Sequence, residues 1–198
     1  AVVLDLFRDR YPSWGFETLP ELAIEIAASL LAEAAHMRQG FGLFAIGRPG
    51  ELGGTSPVTR GAVAGGPGTS GPATSGLLVS GMGKGEAHLA RILEMLARID
   101  LSDRPLALGE ALDRAAARTG QSAIVFAVTP QIDAAARHAL LRLVKGGRRA
   151  MVVEITDDPE SPPLPRGIGH ARVGYCGDVV QSMARRNTVA AAKREPIA

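Results

Sequence analysis

The stretch Ala123-Ile124-Val125-Phe126-Ala127-Val128-Thr129-Pro130 decides the fold. Six apolar residues in a row, with no polar alternation, suit a central parallel strand covered on both faces. Thr129-Pro130 then reads as a helix N-cap with proline at the first helical position. The helix that follows carries Ile132, Ala136, Leu140 and Leu143 on one stripe and ends at Gly146-Gly147. Residues 150–155 supply the next strand. One strand–helix–strand unit of this kind implies a parallel sheet.

The same alternation extends towards both ends. Val2-Val3-Leu4-Asp5-Leu6 is an apolar strand closed by an acidic residue. A polar loop over residues 8–17 leads to a helix announced by a capping box, Thr18 with Glu21. Its expected stripe is Leu19, Leu22, Ile26, Leu30 and Ala34, with Gly40 as the stop. Residues 41–46 read as a buried strand and 77–80 as a short one. Leu89, Ile92, Leu93, Leu96 and Ile99 mark another helix. A further helix over residues 105–118 turns Leu108, Ala111, Leu112 and Ala115 inward and closes at Gly120. Residues 171–175 give a last strand, and 179–186 a closing helix. The order predicts an α/β fold, doubly wound, with a mainly parallel sheet and helices on both faces.

With 198 residues, the chain suits one well-filled domain spanning 1–198. Between 47 and 76 the composition turns to Gly, Pro, Ser and Thr, with a near-repeat in Gly68-Thr69-Ser70-Gly71 and Ala73-Thr74-Ser75-Gly76. Such a stretch buries too little apolar surface to offset its ordering entropy, and is expected to be a mobile inserted loop. A net charge of +2 and 4% aromatics argue against a nucleic-acid surface, so no nucleic acid is expected as partner. The single cysteine, Cys176, excludes an internal disulfide framework. No run of about 20 apolar residues is present to span a membrane. The chain starts inside a strand without an initiator methionine, so a fragment of a longer, membrane-anchored parent is an open expectation.

Few residues form catalytic patterns. Gly81-Met82-Gly83-Lys84-Gly85-Glu86 lacks the Ser or Thr that a phosphate loop needs after its lysine, and reads as a turn capping the next helix. Neither a dinucleotide fingerprint after the first strand nor a Gly-x-Ser-x-Gly elbow occurs. His36, His88, His138 and His170 lack metal-ligand spacing, with His36 and His138 expected on solvent-facing helix sides. Cys176 lies close enough to His170 in sequence to suggest a thiolate pair, against the simpler reading of a small buried hydrophobe. The basic cluster Arg142, Lys145, Arg148 and Arg149 complements a helix C-terminus and offers an alternative anion site.

The element order resembles the von Willebrand factor A fold. Local phrases in residues 22–46 and 85–128, among them His88-Leu89 and Gly109-Glu110-Ala111-Leu112, are similar to a bacterial family of unknown function. Its members pair with MoxR-type ATPases and often carry transmembrane helices upstream. The resemblance implies a metal-ion-dependent adhesion site at the carboxyl edge of the sheet. There Asp5 matches the first aspartate, Phe7 and Asp9 stand at the two serines, Leu106 at the threonine and Thr129 at the last aspartate. Magnesium needs oxygen ligands in near-octahedral array. Two oxygen positions have become hydrocarbon and one has lost its charge, so Asp5 and Asp9 are remnant positions and no metal or other cofactor is expected.

The reading favours a non-catalytic protein-interaction domain. Its expected face holds Asp5, Phe7, Asp9, Trp14, Leu106 and Thr129, with Phe16 nearby. The resemblance implies a MoxR-type AAA ATPase as partner, within an ATPase-linked or cell-envelope assembly. The place it implies is the cytoplasmic side of the bacterial membrane, or the cytoplasm if the parent has no anchor. The alternative is a hydrolase using Asp5, Asp9 and an acquired metal.

Overall fold

A computed structural model describes residues 1–12, 18–50, 76–156 and 162–174. Trp14, Phe16, Cys176, the expected closing helix and nearly all of the expected insert lie outside the described residues. In chain order the elements are β1 (Val2–Asp5), a short 3-10 turn (Arg8–Arg10), α1 (Leu19–His36), β2 (Leu43–Ile46) and β3 (Arg48–Pro49). β4 (Leu77–Val79), α2 (Glu86–Leu96), β5 (Ile99–Asp100), α3 (Leu108–Arg118) and β6 (Ile124–Thr129) come next. The series ends with α4 (Ala134–Lys145), β7 (Arg149–Ile155) and β8 (Ile168–Val173).

Six strands form one sheet in the order β4-β2-β1-β6-β7-β8, parallel except where β4 runs against β2. The apolar run that starts at Ala123 is thus a central strand, as its composition requires. β3 and β5 pair separately as a two-residue ribbon. Alternate strand residues feed two cores. Val2, Leu4, Leu43, Ala45, Val128 and Val153 meet α1 and α2 on one face. Val3, Phe44, Val125, Ala127 and Val152 meet α3 and α4 on the other. Helices therefore cover both faces of a mostly parallel sheet, consistent with a doubly wound α/β fold.

The chain leaves β1 through α1 on one face and leaves β6 through α4 on the other. The carboxyl ends of these neighbouring strands thus form the switch point where open α/β sheets place their crevice. α3 packs closely on α4, each helix starting just after a loop at this edge. A Cβ at Gly109 would lie 2.9 Å from the Ala135 backbone oxygen, so only glycine lets α3 approach α4 this closely.

Several local expectations are corrected. The Thr18 side chain makes no cap hydrogen bond and its own backbone is helical, so the capping box does not form. α1 buries Ala23, Ala27, Leu31 and Ala35 beside Leu19, one residue on from the expected stripe. The small alanines bring the helix close to the sheet, and Leu22, Ile26, Leu30 and Ala34 pack beside that line. α1 ends at His36, and the left-handed residue after it is Arg38 (φ 55) rather than Gly40. In α2 the inward residues are His88, Ile92 and Leu96, while Leu93 is exposed and Ile99 belongs to β5. α3 begins at Leu108, not Pro105. β8 begins at Ile168, ahead of the expected start. α4 starts four residues after Pro130. Its cap is Asp133, whose Oδ1 accepts the Ala136 N–H at 2.7 Å.

Candidate functional site

Asp5 ends β1 at the switch point, and its side chain is fully buried. The register Leu4↔Val128 places Thr129 beside it on β6. Every oxygen of the carboxylate has a partner from the chain itself. The Phe7 N–H donates to Oδ1 at 3.2 Å, and the Thr129 hydroxyl donates to Oδ2 at 2.9 Å. The Arg10 guanidinium donates to the same Oδ2 at 2.5 Å.

Arg10 reaches further. Its Nη2 lies 3.3 Å from the Leu106 carbonyl and 3.5 Å from Asp133 Oδ2. One guanidinium thus joins the loops after β1, before α3 and after β6. The guanidinium carbon also stands 5.5 Å from the centre of the Phe7 ring, within cation–π range. Beneath it the Tyr11 hydroxyl donates to the Asp5 backbone carbonyl at 2.7 Å, which anchors the turn that presents Arg10.

Burial pushes the Asp5 carboxyl above its ordinary value, against the opposing pull of Arg10 and of the Thr129 and Phe7 hydrogen bonds. Burial and the neighbouring Asp5 charge hold the Tyr11 phenol well above its ordinary value. The site therefore carries a neutral phenol under an arginine–carboxylate pair.

The other expected site residues fall in different environments. Phe7 is half-buried at the head of the 3-10 turn, and Asp9 is exposed on it. Asp9 is not among the partners of the Asp5 carboxylate. Leu106 is 9% exposed and packs into the α3/α4 core, so only its carbonyl reaches Arg10. Thr129 closes β6 rather than capping a helix, and its hydroxyl accepts the Gln131 N–H at 3.3 Å. Trp14 lies outside the described residues.

This donor set does not fit a divalent cation. A guanidinium lies on Asp5 Oδ2, and Phe7 brings only its backbone N–H to Oδ1. A cation and that guanidinium exclude one another by charge and by volume. Among the described residues, no group of three or more His, Cys, Asp or Glu side chains converges in a way that could hold a metal.

Sequence reasoning missed Arg10, Asp133 and Glu154. For Asp133 the signal existed: an acidic residue directly before Ala134-Ala135-Ala136, a good N-cap ahead of strong helix formers. Arg10 carries no local signal, since Leu106 and Asp133 lie about a hundred residues away. Glu154 continues the polar row, paired in register with Thr129 on one side and Arg172 on the other. It is 3% exposed, with His170 Nε2 at 3.0 Å and Arg172 Nε at 3.5 Å. His170 thus faces a carboxylate on β7, and the suggested thiolate pair with Cys176 falls outside the described residues.

The remaining candidates have structural roles. His88 is buried, its Nε2 3.1 Å from the Phe41 carbonyl, while His36 and His138 are exposed as expected. The basic cluster is divided. Arg142 pairs with Asp113 at 2.6 Å, and Arg148 donates to the Ala116 and Thr119 carbonyls at the end of α3. No described helix is long and apolar enough to cross a membrane. Set against protein-family models, curated proteins and solved structures, the chain finds no match.

Proposed function

We propose that this chain is a von Willebrand factor A-like protein-interaction domain whose metal-ion-dependent adhesion site has been replaced by an internal ion pair. The observation that carries the reading is Arg10 on Asp5 at the carboxyl edge of the sheet. A cation at that position is supplied by the chain, and it is tied by hydrogen bonds to three loops. Such a site has no open coordination position with which to activate water. It can still hold a fixed loop surface, with Phe7 half-buried and Asp9 exposed, against a partner.

The partner that the family resemblance points to is a MoxR-type AAA ATPase, in an assembly on the cytoplasmic side of a bacterial membrane. Calorimetry with magnesium, manganese and calcium tests the loss of the metal site, and no binding heat is expected. Co-purification of the ATPase with the domain tests the partner, with recovery expected from wild type and reduced recovery after Phe7→Ala or Trp14→Ala. Micromolar to millimolar cation binding that disappears in Asp5→Asn and Asp9→Asn would instead support the metal-dependent hydrolase. Full recovery by both aromatic variants would remove the proposed face.

A further inference from the structure

The amino edge of the sheet, opposite the site above, carries a second feature. The end of α1 and the loop before α2 face each other across a cleft of about 530 Å³, lined by Ala35, His36, Arg38, Lys84, Gly85 and Glu86. Backbone hydrogen bonds hold both walls. On one, the Met37, Arg38 and Gln39 N–H groups bond back to the Glu33, Ala35 and Ala34 carbonyls, each at 2.9 Å. On the other, Gly83 exchanges two hydrogen bonds with Phe41, each 2.9 Å. The Lys84 stem reaches from the second wall to the first: a Cβ at Gly40 would stand 3.6 Å from its Cε. The ammonium end is thus brought beside the short loop that carries Arg38.

Residues 81–86 lack the hydroxyl that a phosphate loop needs after its lysine, but the fold adds a second cation from another element. Among the described residues, the Arg38 and Lys84 side chains make no hydrogen bond or ion pair, and Glu86, the carboxylate of the lining, pairs with neither. Arg38 also stands where a side chain is costly. Among the described residues it is the non-glycine residue with a left-handed backbone (φ 55), just past a helix end, where glycine is the usual choice. Backbone conformation alone favours glycine there, so the use of the arginine lies in the cleft that it lines.

Two cations without an internal counter-charge match a dianion better than a carboxylate. A phosphate monoester carries about −1.5 to −2 charges at neutral pH and three acceptor oxygens, enough for a guanidinium fork and an ammonium together. The cleft is larger than a bare phosphate needs and has the volume of a small-molecule site. Its lining holds no Phe, Tyr or Trp to stack a nucleobase, and its carboxylate suits a hydroxyl donor. We infer that the cleft binds a small phosphorylated polyol or sugar, with Arg38 and Lys84 on the phosphate and Glu86 on a hydroxyl. This surface is separate from the carboxyl-edge site, so either can fail without the other.

The test is titration calorimetry of the whole chain with glycerol 3-phosphate, inorganic phosphate and glycerol, beside sedimentation with phosphatidic acid vesicles. Glycerol 3-phosphate is expected to bind saturably and more weakly as salt rises, inorganic phosphate to bind less tightly, and glycerol not at all. Arg38→Gly should weaken glycerol 3-phosphate binding roughly tenfold, the loss of one charge-assisted contact. Glycine suits the left-handed backbone at that position, so the variant should unfold in urea no earlier than wild type. Lys84→Ala should weaken binding too, Glu86→Gln should remove the preference over inorganic phosphate, and Phe7→Ala should change nothing. Absence of binding by both phosphates, unchanged binding in Arg38→Gly and Lys84→Ala, or no preference for glycerol 3-phosphate in wild type would each overturn the inference. So would vesicle binding with the same variant sensitivity, which would assign the cleft to a membrane surface.

Discussion

Arg10 meets Asp5 where both side chains have lost most of their water: their side chains are 12% and 0% exposed. An ion pair in that setting recovers its desolvation cost only through good geometry, and removing one partner leaves a buried charge with nothing to balance it. Arg10→Ala is therefore expected to lower unfolding free energy by about 3–5 kcal/mol, read by urea denaturation. The double variant Asp5→Leu with Arg10→Met should lie closer to wild type than either single change, and a double-mutant cycle measures that coupling. Tyr11 gives a pH prediction. Its folded-state value is raised, so the neutral phenol contributes stability that is fully present below the ordinary tyrosine value of 10.0 and is lost as pH rises towards the folded value. Phenolate absorbance should show Tyr11 ionising only as the protein unfolds in alkali, with Tyr11→Phe removing that step. A Tyr11 that titrates freely near 10.0 in the folded protein would contradict the buried hydrogen bond to the Asp5 carbonyl. At this scale the sequence exposed Asp5, because an acidic residue closing an apolar run stands out. It concealed Arg10, whose meaning lies in contacts made across the whole chain.

Between elements, α3 fits closely on α4. The neighbour of Gly109 is backbone, the Ala135 carbonyl, which cannot swing aside as a long side chain would. Gly109→Ala must push the helices apart, and a cost of about 1–3 kcal/mol is expected despite alanine's better helix propensity. Thermal unfolding checks this; a variant as stable as wild type would mean that the two helices separate freely. The outcome also matters for the site, since Leu106 and Asp133 sit just before these two helices and hold Arg10 from either side. Element types and order were legible from apolar periodicity, which depends only on burial. Element ends were less so. Thr129-Pro130 carries a standard helix-start signal, yet Thr129 stays in β6 because its hydroxyl bonds Asp5 on the neighbouring strand, and the helix waits for Asp133. In α1 the periodicity was sound but the face was one residue off, because buried alanines rank below leucines in a reading by hydrophobicity and above them where a helix must approach a sheet.

Across the whole molecule, the described residues supply two cores and the parallel order from β2 through β8. The chain departs at the end of β2 and returns to start β4, and the Gly47 N–H bonds the Gly76 carbonyl at 3.0 Å, so the departure and return points already touch. The two-residue ribbon is likewise complete by Gly50, whose N–H bonds the Arg98 carbonyl. Gly50 lies three residues past Gly47, at most about 11 Å away along an extended chain, and a six-residue Gly/Ser linker reaches about 20 Å. Residues 51–75 can therefore be exchanged for such a linker without straining either end. Loop-closure entropy falls slowly with length, about 0.6 kcal/mol for each halving, so a four-fold shortening should raise unfolding free energy by about 1 kcal/mol. Urea denaturation of the shortened chain measures this directly, and the Asp5–Arg10 site should keep its protected tyrosine titration. A loss of stability beyond about 2 kcal/mol would show that these residues pack against the sheet, since loop closure alone has the opposite sign. The expectation of an insert rested on composition alone: Gly, Pro, Ser and Thr between two strands, β2 and β4, that are wholly apolar.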